Sequence, residues 1–297
     1  MSKPEADAHG LIIASYGRRG ILADENGVRR RYVLKGRKLR AVCGDHVIWQ
    51  SARSAEECLV TSITDRQNVL ERPNSHGRSE FLAANLSQIA VVLAPIPEPD
   101  FYLTDRYLCS AELLNAKALI IWNKMDATAS IPTELKIYEE LGYPIVHTSA
   151  VNSTGMDTLK SNLSTDVNML VGQSGVGKSS LINMLLPETD AAIGEISEAN
   201  KEGRHTTTAS FMHELADGGK LIDSPGVRDF APVIREADRI QTGFREILAL
   251  ANECRFSNCQ HLREPNCAVK LAVEEDRIDA RRYESYKRLH NTSAALK

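Results

Sequence analysis

Short apolar runs separated by polar turns mark the first part of the chain, from residue 10 to residue 63. This spacing predicts a small antiparallel barrel of about five strands, of the OB kind. The strands are expected at residues 11–15, 21–23, 31–34, 45–49 and 59–63. Residues 65–85 are polar and show no regular period, which predicts an irregular linker.

A different pattern begins at residue 88, where almost continuous apolar runs alternate with amphipathic segments. Strands that are apolar on both faces and separated by helices indicate a parallel sheet covered on both sides. The last part of the chain has a helical period at residues 268–290. The other predicted elements are strands at 88–94, 117–122, 145–147 and 169–171, and helices at 101–115, 132–141 and 156–163.

The composition is that of an ordinary protein with a hydrophobic core, since 42% of the 297 residues are hydrophobic and 25% are charged. At one domain per about 150 residues, the length favours two or three domains. We predict an OB-like RNA-binding barrel at 1–70, an α/β domain at 71–235 with a linker at 71–87, and a helical metal-binding domain at 236–297. No apolar run reaches the ~20 residues that span a bilayer, and the polar N-terminus carries no signal-peptide core, so a cytoplasmic location is expected.

Charge is unevenly distributed along the chain, although the net charge is only −3. Between residues 18 and 40, nine Lys and Arg residues outnumber two acidic residues. A small barrel with such a basic stripe, together with Tyr16 and Tyr32, is typical of RNA binding, and a solvated basic face is the alternative. The predicted RNA-binding residues are Arg18, Arg19, Arg29, Arg30, Arg31, Lys35, Arg37, Lys38 and Arg40.

A glycine-rich loop follows the strand predicted at 169–171. The sequence Gly-Gln-Ser-Gly-Val-Gly-Lys-Ser at 172–179 is a P-loop pattern, in which backbone N–H groups converge on a phosphate. Lys178 is expected to reach the β- and γ-phosphates, and the Ser179 hydroxyl to bind Mg²⁺, whereas the alternative is a turn that binds nothing. The predicted phosphate-binding residues are Gly172, Gln173, Ser174, Gly175, Val176, Gly177, Lys178, Ser179 and Ser180.

The tetrapeptide Asn-Lys-Met-Asp at 123–126 directly follows a predicted strand. A carboxylate at Asp126 can accept hydrogen bonds from both the N1–H and the exocyclic amine of guanine, a pair of donors that adenine lacks. The Asn123 amide can tie neighbouring loops together, and the loop at 148–150 can place a backbone N–H on the guanine O6. The predicted guanine-binding residues are Asn123, Lys124, Met125, Asp126, Ser149 and Ala150.

Two further segments follow the phosphate loop, at 203–208 and at 223–226. In the first, Thr207 is expected to bind Mg²⁺ and to sense the γ-phosphate. In the second, Asp223 is expected to hold Mg²⁺ through its water shell, and Gly226 to meet the γ-phosphate through its backbone N–H.

Val227 occupies the position where Ras-type enzymes have a glutamine that orients the attacking water. Valine has no donor or acceptor in its side chain, which predicts slow intrinsic hydrolysis that a partner completes. His205 is the nearest polar replacement, because a histidine can position or deprotonate water near neutral pH, and a docking or packing role is the alternative. The predicted catalytic residues are therefore Lys178, Thr207 and His205.

A cluster of cysteines with one histidine lies near the end of the chain, with the spacing C-x₄-C-x-H-x₅-C. Thiolates and imidazole suit Zn²⁺ in a closed tetrahedron, and four protein ligands indicate a structural ion. The predicted zinc ligands are Cys254, Cys259, His261 and Cys267. The helix predicted after them carries further candidate phosphate contacts at Arg277, Arg281, Arg282, Lys287 and Arg288.

These motifs are those of the Ras-like GTPases in a rotated order, because the guanine motif at 123–126 precedes the phosphate loop at 172–179. The chain closely resembles the circularly permuted RsgA family of small ribosomal subunit biogenesis GTPases (YjeQ/YloQ-like). The resemblance implies a multidomain α/β fold with an OB-like barrel, a permuted GTPase domain and a zinc-binding helical domain. It also implies hydrolysis of GTP with Mg²⁺, one structural Zn²⁺, late maturation of the 30S subunit, stimulation by that subunit and contact of both flanking domains with rRNA.

Two other functions fit part of these patterns. A P-loop kinase or other phosphotransferase would share the phosphate loop but would have no use for the motif at 123–126. A non-enzymatic RNA-binding module would use nucleotide only to set its conformation and would hydrolyse nothing. Neither a membrane partner nor an oligomer is expected.

Overall fold

The computed structural model describes most of the chain, in two compact units that are treated separately below. The first unit is formed by Met1–Ser87, Lys160–Leu170 and Ser179–Arg228, and the second by Gln88–Leu159, Val171–Lys178 and Asp229–Lys297. The boundaries predicted for three domains remain a prediction. The described residues are 7–51, 57–73, 79–128, 130–165, 167–186, 210–224 and 232–295.

Five strands of the first unit form a closed barrel in the order β1-β2-β3-β5-β4, with β4 pairing back onto β1. The pairings are antiparallel except that of β3 with β5. Apolar side chains fill the interior, and Ile12, Leu22 and Val60 are fully buried. The predicted OB-like barrel is therefore confirmed. The strands are β1 Ala8–Ser15, β2 Arg19–Asp24, β3 Arg29–Leu34, β4 His46–Ser51 and β5 Glu57–Ile63.

The stretch predicted as an irregular linker contains two antiparallel strands, β6 Val69–Pro73 and β7 Ser79–Ala84. The expectation of irregular structure is wrong. The apolar residues of these strands are adjacent and do not alternate with polar ones: Leu70 follows Val69, and residues 81–84 are all apolar. Short strands without an alternation of apolar and polar residues cannot be found by period alone.

A sheet extends from the barrel within the first unit, in the order β11-β13-β12-β1. Strand β11, Val167–Val171, runs parallel to β13, Lys220–Asp223, and β12, Ser210–Glu214, pairs antiparallel with both β13 and β1. The barrel strand β1 is thus shared with the sheet. Helix α4, Lys178–Leu185, begins after the loop that follows β11.

The second unit contains the parallel strands predicted from the continuous apolar runs, in the order β10-β9-β8. Every residue of β8 is buried, as expected of a strand covered on both faces. The parallel α/β architecture is confirmed. The elements are β8 Gln88–Leu93, α1 Phe101–Leu113, β9 Lys117–Trp122, α2 Thr133–Glu140, β10 Ile145–His147 and α3 Met156–Leu163.

The C-terminal part of the second unit is helical, but the single helix predicted at 268–290 is two helices. The chain breaks between them because Asp276 takes a left-handed backbone, with φ 56°, and Asp279 starts a new helix by accepting a hydrogen bond from the Arg282 N–H at 2.9 Å. Among the described residues, no helix is both long enough and apolar enough to cross a membrane. The elements are a 3₁₀ helix Ala237–Gly243, α5 Arg245–Ala251, α6 Ala268–Glu274 and α7 Ala280–Ala294.

Candidate nucleotide site and metal centre

The predicted guanine motif lies at the carboxyl edge of the parallel strands of the second unit. Asn123 follows β9 directly, and its backbone N–H donates to the Leu93 carbonyl at the end of β8, at 2.8 Å. The Thr148 N–H likewise donates to the Trp122 carbonyl at 2.8 Å. The loops that follow three neighbouring strands therefore meet at one edge, where ligands of open α/β sheets bind.

The Asn123 side chain ties the guanine motif to the phosphate loop. Its Nδ2 donates to the Val176 carbonyl at 2.9 Å, and its Oδ1 accepts from the Thr148 hydroxyl at 3.0 Å. Asn123 is only 1% exposed and Thr148 is fully buried, so both hydrogen bonds are shielded from water. The Asn123 side chain thus joins the two loops, as the sequence predicts. The sequence carries no indication that the Thr148 hydroxyl takes part in this contact.

Asp126 lies at the surface of this edge, where its Oδ1 accepts a hydrogen bond from the Ser149 hydroxyl. The same Ser149 oxygen accepts from the Val151 N–H at 3.2 Å. This arrangement holds the carboxylate on the loop without covering it. The Asp126 side chain is therefore exposed and open to a ligand.

Lys124 has a left-handed backbone, with φ 62°, and its Nζ donates to the Ile96 carbonyl at 2.8 Å. The side chain therefore extends across the motif toward the loop after β8. Gln173 of the phosphate loop contacts that same loop, accepting from the Asp100 N–H at 2.9 Å and donating to the Glu98 carbonyl at 3.1 Å. The loop at 94–100 is a part of the site that sequence patterns did not indicate, because its residues match no motif.

The glycines of the phosphate loop are required by its geometry. Gly172 has φ 133° and Gly177 has φ 98°, values that residues other than glycine rarely adopt. A Cβ on Gly172 would collide with the Val92 carbonyl, and one on Gly177 with the Asn123 amide. The loop can thus approach the guanine motif only with glycine at these positions.

Lys178 lies inside the phosphate loop and is 8% exposed. Its Nζ donates to the carbonyls of Gly172 and Gln173, at 2.6 and 2.5 Å. The positive charge is therefore already held at the centre of a loop whose N–H groups lie at the start of α4, as an anion site requires. These features fit a bound phosphate chain.

Two of the three predicted magnesium ligands, Ser179 and Asp223, lie on described elements of the first unit. Ser179 and Ser180 are exposed in the first turn of α4, and Asp223 is half-buried at the end of β13. The neighbouring Ser224 is buried and its hydroxyl shares a hydrogen bond of 2.9 Å with that of Ser210. The remaining predicted residues of the site, His205, Thr207, Gly226 and Val227, lie outside the described residues.

The predicted metal ligands converge in one cluster of the second unit. Their four ligand atoms all lie within 4.8 Å of one another. The Cys254 and Cys267 sulfurs are 3.7 Å apart, and His261 Nδ1 is 3.4 Å from each of them. A tetrahedron with Zn–S bonds of about 2.3 Å and a Zn–N bond of about 2.0–2.1 Å would have edges of about 3.5–3.8 Å. The donor set and its spacing therefore fit Zn²⁺.

Electrostatics also indicate that the cluster needs a cation. Burial and the adjacent Cys267 thiol raise the pKa of Cys259 to about 12, and burial lowers the pKa of His261. Burial thus favours the protonated thiol at Cys259, whereas a divalent cation would stabilise the thiolate. Glu264 orders the loop because its carboxylate accepts hydrogen bonds from the backbone N–H groups of Gln260, Leu262 and Arg263. Burial acts to raise the pKa of Glu264, but these hydrogen bonds lower it to about 2.

The sequence profile described as RsgA GTPase matches residues 63–232, more than half of the 297 residues. The chain belongs to the RsgA GTPase family. Its members include the small ribosomal subunit biogenesis GTPase RsgA of Ectopseudomonas mendocina (strain ymp), to which it is 39% identical over 289 residues, covering 94% of this chain and 84% of that protein. The corresponding protein of Azotobacter vinelandii (strain DJ / ATCC BAA-1303) is also 39% identical, over 293 residues, covering 95% and 85%.

Two solved structures resemble this RsgA GTPase family member over almost their whole length. YjeQ from Thermotoga maritima has a TM-score of 0.74 and 28% identity, covering 97% of this chain and 99% of that chain. YloQ, a circularly permuted GTPase, has a TM-score of 0.72 and 26% identity, covering 100% and 98%. The chain is therefore a circularly permuted GTPase and a hydrolase, which sets aside the phosphotransferase and the non-enzymatic module.

The basic stripe of the barrel is exposed in this RsgA GTPase family member. Eight of its nine Lys and Arg residues are exposed, and Arg30 is half-buried beside Asp24, with Nε 2.9 Å from Oδ2. Tyr32, by contrast, is 1% exposed and packs in the barrel core. The suggestion that Tyr32 helps to bind RNA is therefore wrong, since a buried ring cannot stack on a base.

The arginines of α7 are placed differently. Arg282 is 1% exposed and forms ion pairs with Asp105 at 2.7 Å and Glu246 at 2.6 Å. Burial acts to lower the pKa of Arg282, but these two carboxylates raise it well above its usual value. Arg281 also pairs with Asp105, at 2.8 Å. Arg282 thus holds α7 to α1 and α5, and its predicted role as a phosphate contact is wrong.

Proposed function

We propose that this RsgA family GTPase hydrolyses GTP while it acts on the small ribosomal subunit during assembly. The observation that carries the nucleotide part of the proposal is the Asn123 side chain, which joins the phosphate loop to the guanine motif through Val176 and Thr148. A base and a phosphate chain are bound by one connected structure. The ribosomal part rests on the printed names of the relatives and on the exposed basic stripe of the barrel.

In this proposal each part of the site has a separate task. Asp126 accepts the N1–H and amine of guanine, and Ser149 orients its carboxylate. The backbone N–H groups of the loop at 172–179 bind the phosphates, while Lys178 exchanges its carbonyl partners for phosphate oxygens. Mg²⁺, when bound, would neutralise charge on the β- and γ-phosphates. Ser179, Thr207 and Asp223 are the proposed groups that hold it.

Slow intrinsic turnover is part of the proposal. Val227 cannot orient water, because its side chain has no hydrogen-bonding group. His205 is proposed to take this task when the small subunit is bound, and the Gly226 N–H to meet the γ-phosphate. The small subunit would therefore stimulate hydrolysis. For this the protein and the subunit must be in the same compartment, so we propose a cytoplasmic location.

The metal cluster is proposed to hold one structural Zn²⁺ through its three cysteines and His261. Four protein ligands leave no open position for a substrate, so the ion would stabilise the fold. The loop at 254–267 is short and rich in polar residues, so it can bury little apolar surface of its own. The ion is proposed to supply the stability that such a small core cannot. The RNA contacts proposed for the barrel are Arg18, Arg19, Arg29, Arg30, Arg31, Lys35, Arg37, Lys38 and Arg40.

A change of base specificity tests the guanine assignment. In Asp126→Asn the amide N–H can donate to the 2-carbonyl of xanthine, which replaces the amine of guanine. We expect GTP binding to weaken at least about 100-fold and xanthosine triphosphate to be bound and hydrolysed instead. Asp157→Asn, on the exposed face of α3, is the matched control and keeps GTP specificity. Unchanged GTP binding by Asp126→Asn would refute the assignment.

A further inference from the structure

The imidazole of His261 has a second partner besides the cysteines. Its Nδ1 faces the sulfurs of Cys254 and Cys267 at 3.4 Å, and its Nε2 lies 2.9 Å from Oε1 of Gln241. His261 is fully buried, so water cannot replace this partner. The cluster therefore has an outer contact that the ligand spacing in the sequence does not reveal, since Gln241 precedes the first cysteine by several residues.

The position of the single ring proton of a neutral imidazole determines the direction of this hydrogen bond. If Nδ1 binds a cation, the remaining proton of the neutral ring is on Nε2, which must then donate. The carbonyl oxygen of Gln241 is an acceptor at the right distance. The backbone also favours one ring position, because His261 has a left-handed φ of 56° and its carbonyl accepts from the Tyr283 hydroxyl at 2.6 Å.

We propose that Gln241 is a positioning residue of the metal centre: its side-chain oxygen accepts the Nε2–H of His261 and thereby presents Nδ1 as the ligand. This inference rests on the metal site of the proposed function. Partners of this kind raise the basicity of a ligating imidazole and hold its plane toward the ion.

The position of Gln241 in the fold gives this contact a wider consequence. It lies on the 3₁₀ helix Ala237–Gly243, which packs against both α1 and α7. Gly243 of this helix approaches Cys109 of α1 so closely that a Cβ would collide with the sulfur. Phe244 then packs edge-on against Tyr286 of α7, with ring centroids 5.5 Å apart. Metal loading therefore secures a helix that is packed on the GTPase helix α1, and not only the cysteine loop.

Cobalt titration of the full chain tests the proposal. Zinc is removed with a chelator, Co²⁺ alone is added, and thiolate-to-cobalt absorption in competition with the chelator gives the affinity. We expect Gln241→Ala to bind Co²⁺ about 10–100-fold more weakly than the wild type. Gln241→Glu keeps an acceptor at the same place and should restore wild-type affinity or exceed it. Arg239→Ala, exposed on the same helix and paired only with Glu236 in the described contacts, should bind as the wild type does.

Thermal unfolding of the metal-free proteins separates positioning from general stability. We expect the metal-free forms of the wild type and Gln241→Ala to unfold at the same temperature, and the metal-loaded forms to differ. Equal cobalt affinity of wild type and Gln241→Ala, no rescue by Gln241→Glu, or an equal loss of stability with and without metal would each overturn the role of Gln241. A wild-type chain that binds no Co²⁺ would instead overturn the metal site itself, and this inference with it.

Discussion

The arginines of the barrel and those of α7 carry the same charge, but the protein surrounds them differently. On the barrel, Arg19 and Arg31 project into solvent. On α7, Arg282 is 1% exposed and lies between the carboxylates of Asp105 and Glu246. The first set is available to an anionic partner, and Arg282 is already neutralised inside the protein.

The two sets of arginines differ in how far away in the sequence their ion-pair partners lie. Arg30 of the barrel pairs with Asp24, six residues earlier in the chain, in a half-exposed contact. Arg282 pairs with Asp105, which is 177 residues earlier and on another helix. A charge that is buried must be paired, because its desolvation costs several kcal/mol, whereas an exposed charge needs no fixed partner. Local charge density therefore says little about the function of an arginine.

The largest expected effect is on stability, in the Arg282→Ala variant. Removing this guanidinium takes away the arginine that pairs with Glu246 and one of the two arginines that pair with the buried Asp105, which should cost about 3–5 kcal/mol of unfolding free energy. Urea denaturation measures the loss. Arg277→Ala, whose exposed side chain pairs with Glu275, is the control and should change stability by less than about 1 kcal/mol. Equal effects of the two variants would remove the distinction between buried and exposed arginines.

Arg66, which follows the last barrel strand and lies outside the basic stripe, is an intermediate case between exposed and buried arginines. Arg66 binds the fully buried carboxylate of Asp45 through two nitrogens, at 2.7 and 2.8 Å. Because its own side chain is 20% exposed, we expect Arg66→Ala to cost less than Arg282→Ala, about 2–3 kcal/mol. Urea denaturation, as for Arg282→Ala, measures the loss. A neutral effect would show that burial of Asp45 does not require its partner.

The exposed stripe should affect RNA binding and not stability. In the double variant Arg19→Ala/Arg31→Ala, each lost phosphate contact should lower the slope of log affinity against log salt by about 0.7–0.9. The unfolding free energy should change by no more than about 0.5 kcal/mol. Binding to small-subunit rRNA is measured at several salt concentrations, with Lys136→Ala on the exposed face of α2 as the control. An unchanged slope would favour a solvated basic face without an RNA partner.

The smallest expected effect concerns Arg30, the half-buried arginine of the stripe that pairs with Asp24. Burial acts to raise the pKa of Asp24, but the Arg30 guanidinium and the N–H groups of Val28 and Asn26 lower it overall. Because the folded pKa is lowered, the stabilisation is present above the unfolded pKa and is lost as the pH falls through the folded value. Arg30→Ala should raise the pKa of Asp24 toward its ordinary value, as followed by carbon NMR of the carboxyl group. No change would mean that the backbone alone sets this pKa.

Much of the fold could be predicted because its strands and helices have strong periods. The buried strands β8 and β9 and the five barrel strands were found in this way. The pair β6 and β7 was missed because its apolar residues are adjacent and do not alternate with polar ones. The break at Asp276 was missed because one left-handed residue leaves no pattern.

The candidate site could be predicted where a motif fixes the spacing, as in the phosphate loop and the cysteine cluster. The contacts of Gln241 with His261, and of Gln173 with the backbone of 98–100, join segments that are distant in sequence and match no motif. Only the folded chain brings such partners together. Burial of Tyr32 and Arg282 was missed for the same reason, because their neighbours come from other elements.

The most direct test of the whole account is the initial rate of phosphate release from GTP and from ATP, each with and without purified small ribosomal subunits. The account predicts slow release from GTP alone, a marked increase when subunits are added, and no comparable release from ATP under either condition. Equal rates with GTP and ATP, or a GTP rate that small subunits leave unchanged, would contradict it.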